Sequence, residues 1–500
     1  MADKDNSLKR VNRPIDVLLM AVGALIGFAV FMMPGDFFLA KGGPLGEAIG
    51  LAIAFVLISP VVYSYGYMLR RYPLAGGSFI FTLISFRGAH RKQHAFISGW
   101  FLTVAYWALL CVNIVGAGLV LRYIFPGVFS GPYLYSIFGW DVYLGEVIIS
   151  LVLIFLFAFI NIRGMKASAG FQNAVVIILL TAIIGVVVAT FVSGPNFDNL
   201  NPPYPSSKTG FEAIIAMVAM TPWLYMGFDV IPQSAEEYNF TPRKAIGLMF
   251  ISMIVLLVVY LLNTVVAATY VPWEDMMAMG NFWNLGWAVE GHLGYPGLLV
   301  LGLAMMTGIF SGCNAFFSTS ARVMYSMGRV DALPKAFGTT NENAVPARAI
   351  IFIAIAACVA PFVGRVLIGW IIDMLSLAMA ICYGYAAIAT AKTAKKFGDK
   401  FAYVMGIFGI VMAVVCGLML VIPSSPGFLS TEAIVMMVVW SIADLVMYFI
   451  NQKNYLASDK IDILAEEAMA QAEALDQQDA AKHGDSDGVQ GETFAPSASE

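Results

Sequence analysis

Thr221-Pro222-Trp223-Leu224-Tyr225-Met226-Gly227-Phe228-Asp229-Val230-Ile231-Pro232 interrupts one long apolar stretch of the chain. Gly23-Ala24-Leu25-Ile26-Gly27-Phe28-Ala29-Val30-Phe31, followed by Met32-Met33-Pro34-Gly35, interrupts another. Irregular backbone at membrane depth is tolerated only where it is buried in protein or lines a cavity, because an unpaired peptide group in lipid costs several kcal/mol. The midpoints of the two interruptions fall at corresponding positions of two five-span halves. Five is odd, so the second half enters from the opposite face. That is an inverted repeat, in which paired broken helices point to a substrate site. Gly23 and Gly27 alone would equally suit a small-residue packing face. The matching interruption, with a carboxylate inside it, favours the break.

Composition agrees with a membrane location. Of 500 residues 60% are hydrophobic and 12% charged, where a soluble chain carries about 25% charged, and the mean hydropathy is +0.80. A net charge of −4 without a long basic stretch excludes nucleic acid as a partner. Cys111, Cys313, Cys358, Cys382 and Cys416 lie in apolar runs without metal or redox spacing and read as small core residues. The charged residues 1–15, with no small-residue cleavage site after the first apolar run, read as a cytoplasmic N-terminus ahead of a first helix that stays in the membrane.

Twelve apolar segments are long enough to span a bilayer: 16–40, 46–69, 97–125, 142–162, 168–193, 211–236, 245–270, 295–325, 347–364, 367–391, 401–422 and 431–450. Positive charge tests that count. With both ends inside, twenty-four of the 28 Lys and Arg residues fall on the cytoplasmic side, and only Lys41, Arg122, Lys208 and Arg365 fall outside. The expected fold is therefore all-α and integral to the membrane: a transporter domain over 16–451, with repeats at about 16–193 and 211–391 and two further spans at 401–450. Residues 452–500 carry eleven acids against three bases and read as an acidic cytoplasmic tail, largely disordered, with a short amphipathic helix over 461–475.

Asp229 sits inside a span, where charge is costly enough to call for a partner or a cavity. It would bind a cationic group, accept a proton, or cap amides at the start of a half-helix. Asp373 and Asp444 stand nearer helix ends and read as interfacial, and Glu236-Glu237 as an ion-pair network with nearby Arg243-Lys244. The four histidines lie in loops or the tail, and no metalloprotease, hydrolase or phosphate-loop pattern is present, so neither an enzyme nor an ATP-driven pump is expected, and no cofactor. A membrane-embedded sensor with a small-molecule pocket in the same fold is the alternative to a transporter.

Four stretches carry a resemblance. GALIGFAVFMMPG (23–35), RYPLAGGSFIF (71–81), GFDVIPQSAEEYNFTPRKAI (227–246) and RVMYSMGRVDALPKAFGTTNENAVPA (322–347) are similar, in order, to signatures of the amino acid–polyamine–organocation superfamily. The resemblance implies a leucine-transporter-type fold of twelve helices, a 5+5 inverted repeat with spans 1 and 6 broken, and a secondary transporter of an amino acid or related amine in the cell membrane. It implies substrate contacts at Gly23, Ile26, Gly27, Phe28 and Ala29 in span 1 and at Trp223, Tyr225, Met226, Gly227 and Asp229 in span 6. Asn113 and Phe316 would line the same pocket. A sodium site would draw on Gly23, Ser318 and Thr319, although such hydroxyls often bond to their own helix. Three positions depart from the pattern: Phe28-Ala29 replaces Ser-Gly, Tyr67 replaces a glutamate, and 172–190 holds no lysine to stand in for a cation. Na+, H+, exchange and no coupling ion all stay open.

Overall fold

The computed structural model describes Leu8, residues 10–423, 425, 428–466, 469, 470 and 474. The chain is mostly helical. Its helices are α1 (Pro14–Leu25), α2 (Phe28–Met33), α3 (Leu39–Arg71), α4 (Ser78–Ser85), α5 (Arg91–Ile124), α6 (Leu144–Ile162), α7 (Met165–Val192), α8 (Gly210–Val218) and α9 (Thr221–Leu224). There follow α10 (Val230–Gln233), α11 (Lys244–Ala268), α12 (Trp273–Ala278), α13 (Asn284–Arg329), α14 (Ala347–Ala357), α15 (Ala360–Val363), α16 (Val366–Phe397), α17 (Lys400–Val421) and α18 (Thr431–Ala457).

Among the described residues, nine helical stretches are long and apolar enough to cross a membrane. The three expected segments missing from that set are 16–40, 211–236 and 347–364, each divided into shorter helices. The first two divide where glycine and proline interrupt the apolar runs. α3 and α13 bend without ending, at Gly43 before Pro44 and at Gly294 before Pro296; both glycines have positive φ, of 62° and 68°, which a side chain would resist.

The all-α expectation needs one correction. Residues Tyr133–Ile137 (β1) and Trp140–Tyr143 (β2) form an antiparallel hairpin between α5 and α6. Aromatic and β-branched residues flank a Phe138-Gly139 turn in which both φ are positive, a hairpin geometry. Arg365 stacks over Trp140, 4.3 Å from the ring centroid, and ties the hairpin to the start of α16.

The segment before α1 is tied to the turn that follows α10. Val11 N and Asn12 N both donate to Glu237 O at 3.0 Å. The Glu237 carboxylate accepts from Arg322 Nε (2.9 Å) and Nη2 (2.6 Å) on α13 and from Asn12 Nδ2 (3.1 Å). Glu236 accepts from Arg329 Nη1 and from Ala75 N, and Gln233 Oε1 accepts from Gly76 N at 3.1 Å. The ion-pair network of these two acids thus reaches Arg322 and Arg329 of α13. The acids face α13 because the turn Ala235–Glu237 directs them across the bundle rather than along the chain.

Asp373 holds the start of α18, accepting from Ser430 N (3.1 Å) and Oγ (2.8 Å). At the other end of α18, Lys92 Nζ donates to the carbonyls of Tyr455, Leu456 and Ser458, a cation on a helix C-terminus. Residues 460–466 continue as a helix, held by Lys460 on Asp331 and Asp462 on Arg91. The rest of the expected 461–475 helix and the disorder expected to its C-terminal side fall almost wholly outside the described residues. Four cysteines are buried and Cys358 is half-buried.

Arg322 and Glu237 are 2% and 0% exposed, so removing one partner strands a charge. Glu237→Ala should destabilise the protein by about 3–5 kcal/mol, whereas replacing both residues with apolar ones should restore much of the loss. Thermal unfolding in detergent checks this; equal melting of wild type and Glu237→Ala would show the pair to be energetically idle.

Candidate functional site

The helix of span 1 stops because Ile26 (φ −99°, ψ 76°) and Gly27 (φ −104°, ψ −159°) leave helical geometry. Peptide groups around the break find partners on other helices. Asn113 of α5 accepts from Phe28 N through Oδ1 at 3.1 Å. In a regular helix Val30 O would receive the N–H of residue 34, but Pro34 has none; Asn263 Nδ2 of α11 donates to it at 3.0 Å. Trp283 Nε1 donates to Phe31 O at 2.8 Å. Gly27 has to lack a side chain, since a Cβ there would lie 2.6 Å from Asn113 Oδ1. The ring of Phe28 packs on Gly116 of α5, where a Cβ would meet it at 2.4 Å, so its bulk is directed towards α5.

Span 6 breaks between α9 and α10. Gly227 has φ of 128°, and a Cβ there would lie 3.1 Å from Leu25 N. The two breaks therefore touch. Asp229 is fully buried; its Oδ1 accepts from Gly227 N at 3.0 Å and its Oδ2 from the Tyr106 hydroxyl at 2.5 Å. Of the roles left open by the sequence, these contacts match the capping of a bared amide. Gln233 Nε2 donates onward to the Tyr106 hydroxyl at 3.3 Å.

Between the breaks lies a cavity of about 40 Å³, room for a few waters at most. Gly27, Phe28, Ala29, Asn113, Trp223, Met226 and Phe316 line it as expected, joined by Ala24, Leu25, Leu109, Val112, Leu224 and Tyr260. No charged side chain is in that wall among the described residues. Five expected residues stand off it. Tyr225 turns to α3 and donates to Leu51 O at 2.9 Å. Asp229 is engaged with Tyr106 and Gly227, Gly227 packs on Leu25, and the Ile26 carbonyl abuts Gly308 of α13. Gly23 faces Ser311, whose Oγ would lie 1.7 Å from a Cβ.

The sodium ligands are not brought together. Thr319 Oγ1 donates to its own helix at Ala315 O, 2.7 Å away. Ser318 lines a separate crevice with Asn12, Asp16 and Arg322. It is two turns along α13 from Ser311, roughly 10 Å. Beside Gly23 stands a donor instead: Gln172 Nε2 of α7 donates to Ser311 Oγ at 2.5 Å, and Asn314 Nδ2 donates to Gln172 Oε1 at 2.9 Å. Asn263, Trp283, Tyr106 and Tyr260 were not foreseen, although a proline in an apolar run signals that some side chain must serve the carbonyl four residues earlier.

The family described as amino acid permease matches residues 14–443. The chain belongs to it. Among curated relatives, the branched-chain amino acid permease of Lactococcus lactis subsp. cremoris is 28% identical over 376 residues, covering 71% of this chain and 76% of that protein. The histidine permease of the same organism is 23% identical, covering 72% and 74%. The methylthioribose transporter of Bacillus subtilis is 23% identical over 464 residues, covering 91% and 96%. The protein is thus a multi-pass membrane transporter of the amino acid permease family, neither an enzyme nor a sensor.

For the permease, Gly27→Ala should displace Asn113 and lower uptake by roughly a hundredfold, as expected when a positioning contact moves by about 1 Å, with expression preserved. Asp229→Asn keeps an oxygen for Gly227 N and should leave uptake within about threefold of wild type, while Asp229→Ala should cost about 1–3 kcal/mol of stability through the unpaired amide. Proteoliposome uptake with parallel melting curves decides. Normal flux in Gly27→Ala would remove the break from the transport path.

Proposed function

We propose that this permease is a secondary active transporter of neutral, apolar α-amino acids of branched-chain size, working by alternating access in the cell membrane. The observation that carries the substrate class is the charge-free wall formed by Leu109, Val112, Trp223, Met226, Tyr260 and Phe316. A cationic or acidic side chain placed there would be stripped of water without a counter-ion, at a cost of several kcal/mol. An aliphatic side chain gains about 0.8 kcal/mol per buried CH₂. Two of the relatives, from Lactococcus lactis and Bacillus subtilis, are branched-chain amino acid permeases. They agree with that chemistry.

In this reading the substrate carboxylate takes amides at the start of α2, beginning with the Phe28 N–H now held by Asn113. The ammonium group takes carbonyls of the span 6 break. Oriented peptide dipoles suit both. A space of about 40 Å³ cannot admit an amino acid, so binding widens it by parting the two broken helices. The contacts of Glu236, Glu237 and Gln233 close the side that carries the N-terminus. The accompanying topology is twelve spans with both termini in the cytoplasm. It has inverted repeats at about 16–193 and 211–391, with spans 11 and 12 lying outside them and packed in the bilayer.

Counterflow of labelled leucine into leucine-loaded proteoliposomes tests the substrate class. Excess isoleucine or valine should abolish the signal, and equal lysine or glutamate should leave it nearly intact. Competition by lysine as strong as that by isoleucine would refute an apolar pocket.

A further inference from the structure

Glu47 has no place in the site described above. It lies on α3 just after the Gly43-Pro44 bend, inside the apolar stretch Phe28–Arg71, and is 0% exposed. Its Oε2 is buried without a hydrogen-bond partner. Its Oε1 lies 2.6 Å from Thr264 Oγ1 on α11, and that same hydroxyl lies 3.2 Å from Tyr260 O. A threonine hydroxyl carries one hydrogen. If it serves the Tyr260 carbonyl, as such hydroxyls do one turn back in a helix, the 2.6 Å contact needs a hydrogen from the carboxyl. A buried carboxylate left with one unpaired oxygen would also bear a large desolvation cost that a neutral acid avoids.

The surroundings supply no counter-charge. On the elements packed around this part of α3, Glu212 of α8 is bound to Thr209, and Glu274 of α12 to Ser206. Asp36 is bound to Asn284, and Lys208 to the carbonyls of Ala40 and Lys41. Asp275 lies on α12, and Lys41 lies on α3 itself before the bend. The Tyr204 ring packs on Gly46. On α11 the titratable neighbour is Tyr260, and Lys244 stands at the opposite end of that helix. Among the described residues none forms an ion pair with Glu47.

The position connects to the broken helices. Tyr260, one turn before Thr264, lines the cavity, and its hydroxyl approaches Leu224 O at 3.5 Å. One turn after Glu47, Leu51 O accepts from Tyr225 in the span 6 break. α3, α11 and the break thus meet within two turns of the carboxyl.

We propose that Glu47 is a proton-binding site that couples transport to protons. In this closed arrangement the carboxyl holds its proton and donates to Thr264. When the broken helices part and α11 shifts from α3, water reaches the carboxyl, its O–H bond breaks, and the proton passes to water while the carboxylate becomes hydrated. Returning to the closed state requires a proton from solution.

The proposal rests on the permease reading but is tested apart from it. Infrared difference spectra of purified wild type and Glu47→Gln near neutral pH should differ by the carbonyl stretch of one protonated carboxyl. No substrate is needed, and absence of that band from wild type overturns the proposal. In proteoliposomes an acid-outside gradient should drive leucine accumulation by wild type. Glu47→Gln, a neutral isostere that keeps a partner for Thr264, should retain leucine counterflow and lose the response to the gradient. A variant that still answers the gradient, or a wild type answering only a sodium gradient, refutes proton coupling through Glu47. Failure of leucine counterflow in wild type refutes the substrate class and leaves the infrared result to decide the protonation.

Discussion

Peptide groups bared in an apolar interior must be paired by protein, and that requirement organises this molecule. Two helices are interrupted where water is scarce, and each open N–H or C=O costs several kcal/mol if left alone. The partners come from elsewhere in the chain: Asn113 from α5, Asn263 from α11, Trp283 from the start of α13, and Asp229 across its own break with Tyr106 to steady it. The breaks therefore fix where α5, α11 and α13 stand. The cavity wall follows from that placement.

The same constraint explains which parts of the structure were legible in the sequence. Glycine and proline inside apolar runs announce a break, because nothing else about such runs would stop a helix. The side chains that repair it leave no comparable trace. Asn263 and Tyr106 sit in helices apolar on every side, where periodicity cannot say which face meets which neighbour. Asn113 was found through resemblance rather than pattern. Helical phase was equally hard to read: Ser318 and Thr319 lie two turns from where α13 meets Gly23, and Ser311 is the residue in contact. The hairpin at 133–143 was readable, since alternating aromatic and aliphatic residues flank Phe138-Gly139. Glu47 was readable too, as a lone acid at the edge of an apolar run.

Long-range contacts also make one unit of segments far apart in sequence. The segment at Val11-Asn12, the loop at Ala75-Gly76, the end of span 6 and the last turns of α13 meet at Glu236, Glu237 and Gln233. Any displacement of that end of span 6 is felt by the other three. Arg322 and Glu237 make the tightest of these links, a buried bidentate pair whose loss would strand a charge on either side.

Asn113 has a kinetic consequence. In the proposed binding mode its side chain, by holding the Phe28 amide, would act as a built-in competitor, a carboxamide seated where an incoming carboxylate would bond. Each arriving molecule gains only the difference between a charged acceptor and a neutral one, which weakens affinity yet gives the departing molecule a replacement ready at hand. A carrier that must let go on every cycle gains turnover from such shallow binding.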